Sequence, residues 1–234
     1  MLVSIDTSNG KITLFNISRD AMVDVTMYSA GGAYAGTEKQ QICLSYAYGD
    51  GKESSCENTV NSVQRLFYNI PINTYFSLDL DGISALNDSV GGVDVVSPET
   101  IGDFVEGESY HLVGQQAESF VRTRDTSKVD SNNMRMQRQK VYIQSFMNTV
   151  LQQTKKDLTT PLDLFNASAP YSCTNLNPSK VTYLAQQAVL GGMNGIDMVS
   201  VPGQVKMGSK YAEFNVSEAE FYQMFLSIYY TKIE

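Results

Sequence analysis

The hydrophobic pattern of the chain switches repeatedly between the period of a strand and the period of a helix. Residues 2–5 and 11–17 alternate apolar with mostly polar side chains on either side of the turn-forming segment 6–10, which is typical of a β-hairpin. Longer segments with apolar residues at helical spacing follow. The pattern predicts further strands at 74–80, 90–96 and 196–201, helices at 53–67, 81–88, 115–121, 133–153 and 217–230, additional helices within 160–190, and irregular structure over 98–110 and between residues 20 and 52.

This alternation of strands with helices, without an internal repeat or a linker, predicts the α/β fold class. We expect a three-layer α/β/α sandwich with a mixed central sheet, in a single domain over residues 1–234. Because the chain opens directly in strand-like sequence at Leu2, we also expect that it is a fragment whose upstream part is missing.

Composition narrows the class of protein. Hydrophobic residues make up 42% of the chain and charged residues 18%, which indicates a globular protein. The formal net charge of −8 argues against a nucleic-acid binder, because such proteins carry a broad basic face. No segment approaches the roughly eighteen consecutive apolar residues of a membrane-spanning helix, so none is predicted.

The arginines are concentrated in one short stretch of this acidic chain. Four of the six lie between Arg122 and Arg138. If residues 122–124 are extended, the side chains of Arg122 and Arg124 project to the same face. On a helix, Arg135, Arg138 and Gln139 also share one face.

These two segments together predict a site for a highly charged anion, for which diphosphate fits best, because guanidinium groups form paired hydrogen bonds with phosphate oxygens. The alternative is that each arginine pairs with a nearby acid, namely Glu118, Asp125 or Asp130. Arg19 is a fifth candidate, because it follows the second predicted strand and ligands gather at strand ends of open α/β sheets.

Other residue types offer weaker signals. His111 is the single histidine and falls in a predicted loop, which favours an ordinary surface role. The pair Gly91-Gly92 indicates a backbone hinge rather than a phosphate loop. Cys43 and Cys56 flank a glycine-containing turn, so a disulfide between them is left open for an oxidising compartment and would leave Cys173 unpaired. One histidine and no CxxC motif make structural zinc improbable.

Four segments resemble motifs of the LytR-CpsA-Psr family of cell-envelope proteins. Asn16–Asp20 resembles its strand-end "S-x-P-R-D" motif, although the proline is absent here. Leu86–Val95 resembles "D-x-L-G-G-V-D-V", Phe120–Arg124 resembles "Y-V-R-x-R", and Arg135–Gln139 resembles "R-x-x-R-Q". The motifs come in the family's order and cover about residues 1 to 150, whereas the part beyond residue 155 fits more loosely.

The resemblance implies a glycopolymer transferase of the Gram-positive envelope. Such an enzyme moves a teichoic-acid-like, capsular or other anionic glycan from a polyprenyl-diphosphate carrier onto a peptidoglycan hydroxyl, releasing polyprenyl phosphate. It also implies a deep apolar tunnel for the lipid tail, with an arginine-lined mouth that holds the diphosphate and Mg²⁺. The residues carried over to the diphosphate are Arg19, Arg122, Arg124, Arg135 and Gln139, with Arg138 beside them either joining the site or facing an acid.

The resemblance further implies Asp130 as the base, acting with Arg19, Arg122 and Arg124 on the reacting phosphates. The family's "R-S-D-T" motif, with the aspartate expected to bind the metal, and its membrane anchor are expected upstream of Met1. The implied location of the parent protein is the extracytoplasmic face of the bacterial cell membrane. Without that aspartate, the alternative function is a non-catalytic module that binds polyprenyl phosphate or a polyanion. A third interpretation, a transcriptional regulator, is opposed by the net charge of −8.

Overall fold

Strands and helices alternate along most of the chain in the computed structural model, which describes residues 1–125, 127, 131–191, 196–208 and 211–230. The strands are β1 (Leu2–Asp6), β2 (Lys11–Asn16), β3 (Met22–Tyr28), β4 (Tyr34–Gln41), β5 (Phe76–Leu78), β6 (Val93–Val96), β7 (Ser109–Leu112), β8 (Ser172–Thr174), β9 (Ile196–Ser200), β10 (Gly203–Met207) and β11 (Ala212–Val216). The helices are α1 (Cys43–Ala47), α2 (Glu53–Leu66), α3 (Asp81–Ser89), α4 (Gln115–Arg122), α5 (Ser131–Lys156), α6 (Thr160–Ser168), α7 (Pro178–Leu190) and α8 (Glu218–Tyr229), with a 3₁₀ turn at Ala169–Tyr171.

The central sheet has the order β1-β2-β9 and is mixed. Strand β2 pairs antiparallel with β1 and parallel with β9, so that Leu14 lies opposite Val3 on one side and Met198 on the other. The tight β1–β2 turn closes at Gly10, whose amide donates to the Asp6 carbonyl at 2.7 Å and whose φ is +68°. A side chain at Gly10 would come within 2.4 Å of the Ala188 carbonyl of α7, so only glycine fits there.

The side chains of β2 alternate between two apolar layers. Leu14 points to one face, where it packs with Ala188 of α7 and Met147 of α5. Phe15 points to the other face and packs with Phe67 at the end of α2 and Phe221 of α8. Helices therefore cover both faces of the sheet, which confirms the predicted three-layer α/β/α sandwich with a mixed central sheet.

A second core fixes α4 and α5, the helices that carry most of the arginines. The β6–β7 ribbon buries Val93 and Leu112 against these helices, and Phe120 of α4 is fully buried in the same cluster. The rings of Phe104 and Phe120 meet edge to face with their centroids 5.0 Å apart. The C-terminal end of α4 and the middle of α5, at Tyr142, are thereby packed into one apolar cluster.

Several short ribbons lie in segments whose pattern predicted loops or helices. The β3–β4 hairpin, β8 and the β10–β11 hairpin are not predicted, and the short strand β7 lies in a segment judged irregular. Most residues of β4 and β10 are exposed, so their sequences carry no buried alternating face from which a strand could be inferred. The long hydrophobic elements, in contrast, begin and end close to the predicted residues.

The predicted hinge at Gly91-Gly92 is confirmed. Both glycines have positive φ, and a side chain at Gly92 would come within 2.5 Å of the His111 ring. His111 lies in β7 rather than in the predicted loop, and its Nδ1 is 2.7 Å from the Asp94 carboxylate on the neighbouring strand. The histidine thus fastens the ribbon beside the hinge.

The three cysteines are free thiols. The sulfur of Cys43 accepts a long hydrogen bond of 3.7 Å from Arg19, whereas Cys56 lies beside Cys173. The disulfide between Cys43 and Cys56 that the sequence left open is therefore not present in the structure, and Cys173 lies beside Cys56. Within the described parts of the chain, no helix is both long and apolar enough to cross a membrane.

Candidate functional site

Helix α4 and the extended residues after it place Arg122 and Arg124 differently. Arg122 closes α4, and Thr123 then leaves the helix with φ −52° and ψ 135°. The amide of Thr123 still donates to the Ser119 carbonyl at 3.0 Å, which fixes the last turn. The condition that residues 122–124 are extended is therefore not met at Arg122, because the amphipathic pattern of α4 continues through it.

Arg19, Arg124 and Arg135 come together from three separate parts of the chain. Burial lowers the pKa of Arg135, and the nearby positive charges of Arg124 and Arg19 lower it further, while Asp20 acts in the opposite direction. Two like charges acting on a third indicate that the three guanidinium groups share one neighbourhood. This concentration of positive charge in an acidic protein is what a polyanionic ligand would neutralise.

Arg19 keeps most of its side chain accessible. Its guanidinium lies 3.6 Å from the Asp20 carboxylate, longer than a normal hydrogen bond, and 60% of the side chain is exposed. It stands where β2 has ended and the chain turns into β3, so it follows a strand of the central sheet as predicted. The carbonyl of Arg19 accepts the Cys43 amide at 3.1 Å, which fixes its backbone against α1.

Arg138 has a different environment. Its side chain is completely buried, donates to the Glu99 carboxylate at 2.6 Å and also donates to the Thr123 carbonyl. Burial lowers the pKa of Arg138, and the charge of Glu99 opposes that change. The structure thus favours the second of the two alternatives for this residue. Arg138 faces an acid and ties α5 to the segment that carries Arg124.

Arg122 and Gln139 both line an apolar cavity. Gln139 lies one turn beyond Arg135 on α5 and donates to the Val121 carbonyl at 3.2 Å, which joins α5 to α4. Arg122 pairs with Glu118 one turn earlier on α4, yet 54% of its side chain stays exposed. Arg122 therefore follows the alternative prediction, in which each arginine pairs with a nearby acid. Much of its side chain nevertheless remains accessible to solvent.

The cavity itself has a volume of about 310 Å³ and an almost entirely apolar wall. Arg122 and Gln139 are its polar side chains, apart from a tyrosine hydroxyl. That hydroxyl, on Tyr142, donates to the buried Asn87 side chain at 3.2 Å, and burial raises the pKa of Tyr142. The remaining lining residues are Leu78, Leu80, Ile83, Leu86, Val121, Ile143 and Phe146.

An apolar cavity that opens beside a cluster of arginines agrees with the tunnel and mouth that the motif resemblance implied. A family profile described as the LytR_cpsA_psr family matches residues 1–227. The chain belongs to this family. The resemblance inferred from four short motifs is thereby confirmed and extends well beyond residue 155.

Two curated relatives of this LytR_cpsA_psr protein are both named as teichoic acid transferases. The polyisoprenyl-teichoic acid–peptidoglycan teichoic acid transferase TagU of Enterococcus faecalis is 30% identical over 155 residues, covering 64% of this chain and 46% of TagU. The corresponding transferase TagV of Bacillus subtilis is 29% identical over 139 residues, covering 55% of this chain and 32% of TagV. The chain therefore spans less than half the length of these relatives.

Solved structures support the same fold. The crystal structure of TagV from B. subtilis superposes with a TM-score of 0.69 at 22% identity, covering 98% of this chain and 88% of TagV. A structure of TagT bound to LI-WTA superposes with a TM-score of 0.69 at 16% identity, covering 97% of this chain and 81% of TagT. At these identities the comparison concerns the fold alone.

The described part of the chain contains no cluster of side chains that could bind the metal expected in this family. There, no three histidine, cysteine, aspartate or glutamate side chains lie close enough together to hold an ion. Asp130, implied as the base, lies outside the described residues. The acid that proves central to the architecture, Glu99, was not predicted, because it comes from the segment 98–110 and its partner Arg138 is far away in sequence.

Proposed function

We propose that this LytR_cpsA_psr protein transfers an anionic glycopolymer from a polyprenyl-diphosphate carrier to a hydroxyl group of peptidoglycan. The supporting observation is the apolar cavity that opens at Arg122 and Gln139, next to the Arg19, Arg124 and Arg135 cluster. A lipid diphosphate has the matching composition, a long apolar tail attached to a multiply charged headgroup. TagU and TagV are named as transferases that join teichoic acid to peptidoglycan, which supports the same chemistry here.

The cavity would take part of the polyprenyl tail. Its lining is aliphatic and aromatic along α3 and α5, so burying a hydrocarbon there is favourable by about 25 cal/mol for each Å² removed from water. A tail held in this cavity would have its phosphate end beside Arg122, which is one of the lining residues. The headgroup is thus oriented by the tail and does not rely on charge alone.

The arginines would hold and neutralise the diphosphate. Phosphoryl transfer depends mainly on positioning and on stabilising charge at the phosphate oxygens, and guanidinium groups serve both needs. Arg124 and Arg135 repel each other in the ligand-free protein, and an anion between them removes that repulsion. Arg19 and Arg122 approach from the central sheet and from α4, and would contact the remaining oxygens.

In the proposed reaction, the acceptor hydroxyl oxygen forms a bond to the glycan-bearing phosphorus. The bond from that phosphorus to the bridging oxygen breaks, and polyprenyl phosphate leaves with the bridging oxygen. The hydroxyl proton passes to a base, for which the family resemblance implies Asp130. Mg²⁺ stays a prediction of the resemblance, and Arg19, Arg124 and Arg135 contribute positive charge to the site.

The proposed substrates also specify a location. Peptidoglycan lies outside the cytoplasmic membrane, so we place the working protein at the extracytoplasmic face, in association with the membrane that holds the carrier lipid. A membrane anchor upstream of Met1 stays a prediction of the family resemblance.

The proposal is tested by Arg124→Ala and Arg135→Ala. Each change removes charge-assisted hydrogen bonds to the headgroup, and we expect a 10- to 100-fold weaker affinity for a polyprenyl diphosphate, measured by titration calorimetry. The free energy of unfolding should stay the same or rise slightly, because repulsion within the cluster is relieved. Arg65→Ala is the matched control, since Arg65 is exposed on α2 and bonds to β3 instead.

Turnover then separates the transferase from the binding module. We expect the protein, given a polyprenyl-diphosphate-linked glycan and peptidoglycan fragments, to produce a glycan–peptidoglycan phosphodiester and polyprenyl phosphate in equal amounts. Tight binding without product would reject the transferase and support the non-catalytic module. Unchanged affinity in both arginine variants would reject the site itself.

A further inference from the structure

Two thiols, those of Cys56 and Cys173, lie close together where the β5–β8 ribbon packs against helix α2. In this antiparallel ribbon Cys173 pairs directly with Ser77, and β8 packs against helix α2. Cys56, in the first turn of α2, hydrogen-bonds with both Cys173 and Ser77. Two cysteines separated by more than a hundred residues of sequence are therefore brought into side-chain contact.

We propose that Cys56 and Cys173 form a disulfide by exchange with a disulfide-bearing oxidant, while Cys43 remains a thiol. The geometry supports this pairing, because sulfur atoms within hydrogen-bonding reach need only a small local adjustment to bond at about 2.05 Å. Cys43 is directed elsewhere, since its sulfur faces the Arg19 guanidinium.

The environments of the two thiols give the order of the steps. Burial raises the pKa of Cys56 to about 11, and Cys173 adds to the effect. Cys56 is therefore a poor attacking group at neutral pH, whereas Cys173 is partly exposed. Cys173 attacks the oxidant first and forms a mixed disulfide, and Cys56 then displaces the second sulfur. The two protein thiols lose two electrons, and the oxidant is reduced to two thiols that take up the two protons.

A cavity of about 590 Å³ reaches Cys56, and Cys173 is itself partly exposed, so a small oxidant can approach both thiols. Cys56, Thr59, Tyr75 and Ser77 contribute to its wall. The bond would fasten the β5–β8 ribbon to α2 at a useful place, because Leu78, the next residue of β5 after Ser77, lines the apolar cavity of the proposed site. Oxidation would thus stiffen one wall of that cavity.

The test compares the protein treated with oxidised glutathione with the same protein treated with dithiothreitol. We expect the oxidised sample to lose two of its three free thiols and to yield a proteolytic peptide in which Cys56 and Cys173 are linked, seen by mass spectrometry. Closing so long a loop should raise Tm by about 10 °C relative to the reduced sample.

Three variants make the assignment specific. Cys43→Ser should keep the linked peptide and the Tm difference between oxidised and reduced protein, whereas Cys173→Ser and Cys56→Ala should lose both. A linked peptide containing Cys43, or glutathione adducts without any linked peptide, would overturn the proposal. Because the linked peptide is sought in wild type and Cys43→Ser, the proposal is tested even if a change at buried Cys56 prevents folding.

Discussion

Two arginines that lie one turn apart on α5, in neighbouring regions of the molecule, have opposite electrostatic surroundings. Arg138 is completely buried, and its guanidinium is engaged by Glu99 and by the Thr123 carbonyl. Arg135, one turn earlier, lies among other positive charges that lower its pKa in addition to the effect of burial. The larger charge effect on Arg138 comes from an acid, whereas the larger charge effects on Arg135 come from two other arginines.

The difference shows what separates a structural arginine from a candidate ligand-binding one. Residue type and helical spacing are the same, so neither can decide between the two roles. What decides is the charge brought by other elements, a glutamate from segment 98–110 in one case and two arginines in the other. The buried pair also holds the segment at Thr123 in place, so it positions Arg124 for the cluster.

The largest effect should come from breaking the buried pair. We expect Arg138→Met to lower the free energy of unfolding by about 3–5 kcal/mol, measured by urea denaturation, because it leaves the Glu99 carboxylate buried without a counter-charge. The matched change Arg124→Met, in the exposed region, should alter stability by less than about 0.5 kcal/mol.

A double variant distinguishes the buried charge from simple loss of packing. Adding Glu99→Gln to Arg138→Met removes the uncompensated carboxylate, and we expect it to recover a large part of the lost stability. If the double variant is as unstable as the single one, packing and not charge explains the role of Arg138. If Arg124→Met destabilised the protein as much as Arg138→Met does, the proposed difference between the two arginines would be wrong.

The same contrast explains how much of the fold and of the candidate site could be predicted from the sequence. The order of the long elements and the two-sided apolar pattern around Phe15 follow from local periodicity, and the three-layer architecture could therefore be predicted. The clustering of arginines could also be predicted from composition and spacing. The partner of Arg138 could not, because Glu99 comes from a segment without periodicity and the contact is long-range.

The neighbour of Cys56 could not be predicted from the sequence for the same physical reason. Cys43 and Cys56 are close in sequence and flank a turn, so the sequence leaves a disulfide between them open. The structure separates them because Cys43 faces Arg19 and Cys56 points towards β8, a three-residue strand too short to be recognised. Proximity in sequence does not identify the neighbour of Cys56, because the short β5–β8 ribbon brings the distant Cys173 close to it.

A second prediction leaves every arginine unchanged and fills the cavity instead. Ile83→Trp should occupy space needed by the lipid tail and lower the affinity for a polyprenyl diphosphate more than tenfold, since each buried methylene contributes about 0.8 kcal/mol. The affinity for inorganic diphosphate should stay unchanged, because the charged region is not altered. Titration calorimetry with both ligands measures the two effects separately.

The control for this change is Leu158→Trp. Leu158 is 61% exposed and does not belong to the cavity wall, so the same bulk is added without filling the cavity. A parallel loss of affinity for both ligands in Ile83→Trp would show that the substitution disturbs the headgroup site. Unchanged affinity for the lipid would show that the tail binds elsewhere.

The smallest expected effect is that of salt on the affinity for diphosphate. It tests the contrast between the buried Arg138 and the exposed arginines without any mutation. Raising the ionic strength from 0.1 M to 1 M shortens the screening length from about 10 Å to about 3 Å, so the exposed arginines should bind diphosphate several-fold more weakly. The stability difference between wild type and Arg138→Met should stay the same, because salt cannot screen a pair from which water is excluded. Calorimetric titration at both salt concentrations measures the first quantity, and urea denaturation at the same concentrations measures the second. Salt-independent diphosphate binding would place the anion among buried groups, and a salt-dependent penalty for Arg138→Met would mean that the Arg138–Glu99 pair is reached by solvent.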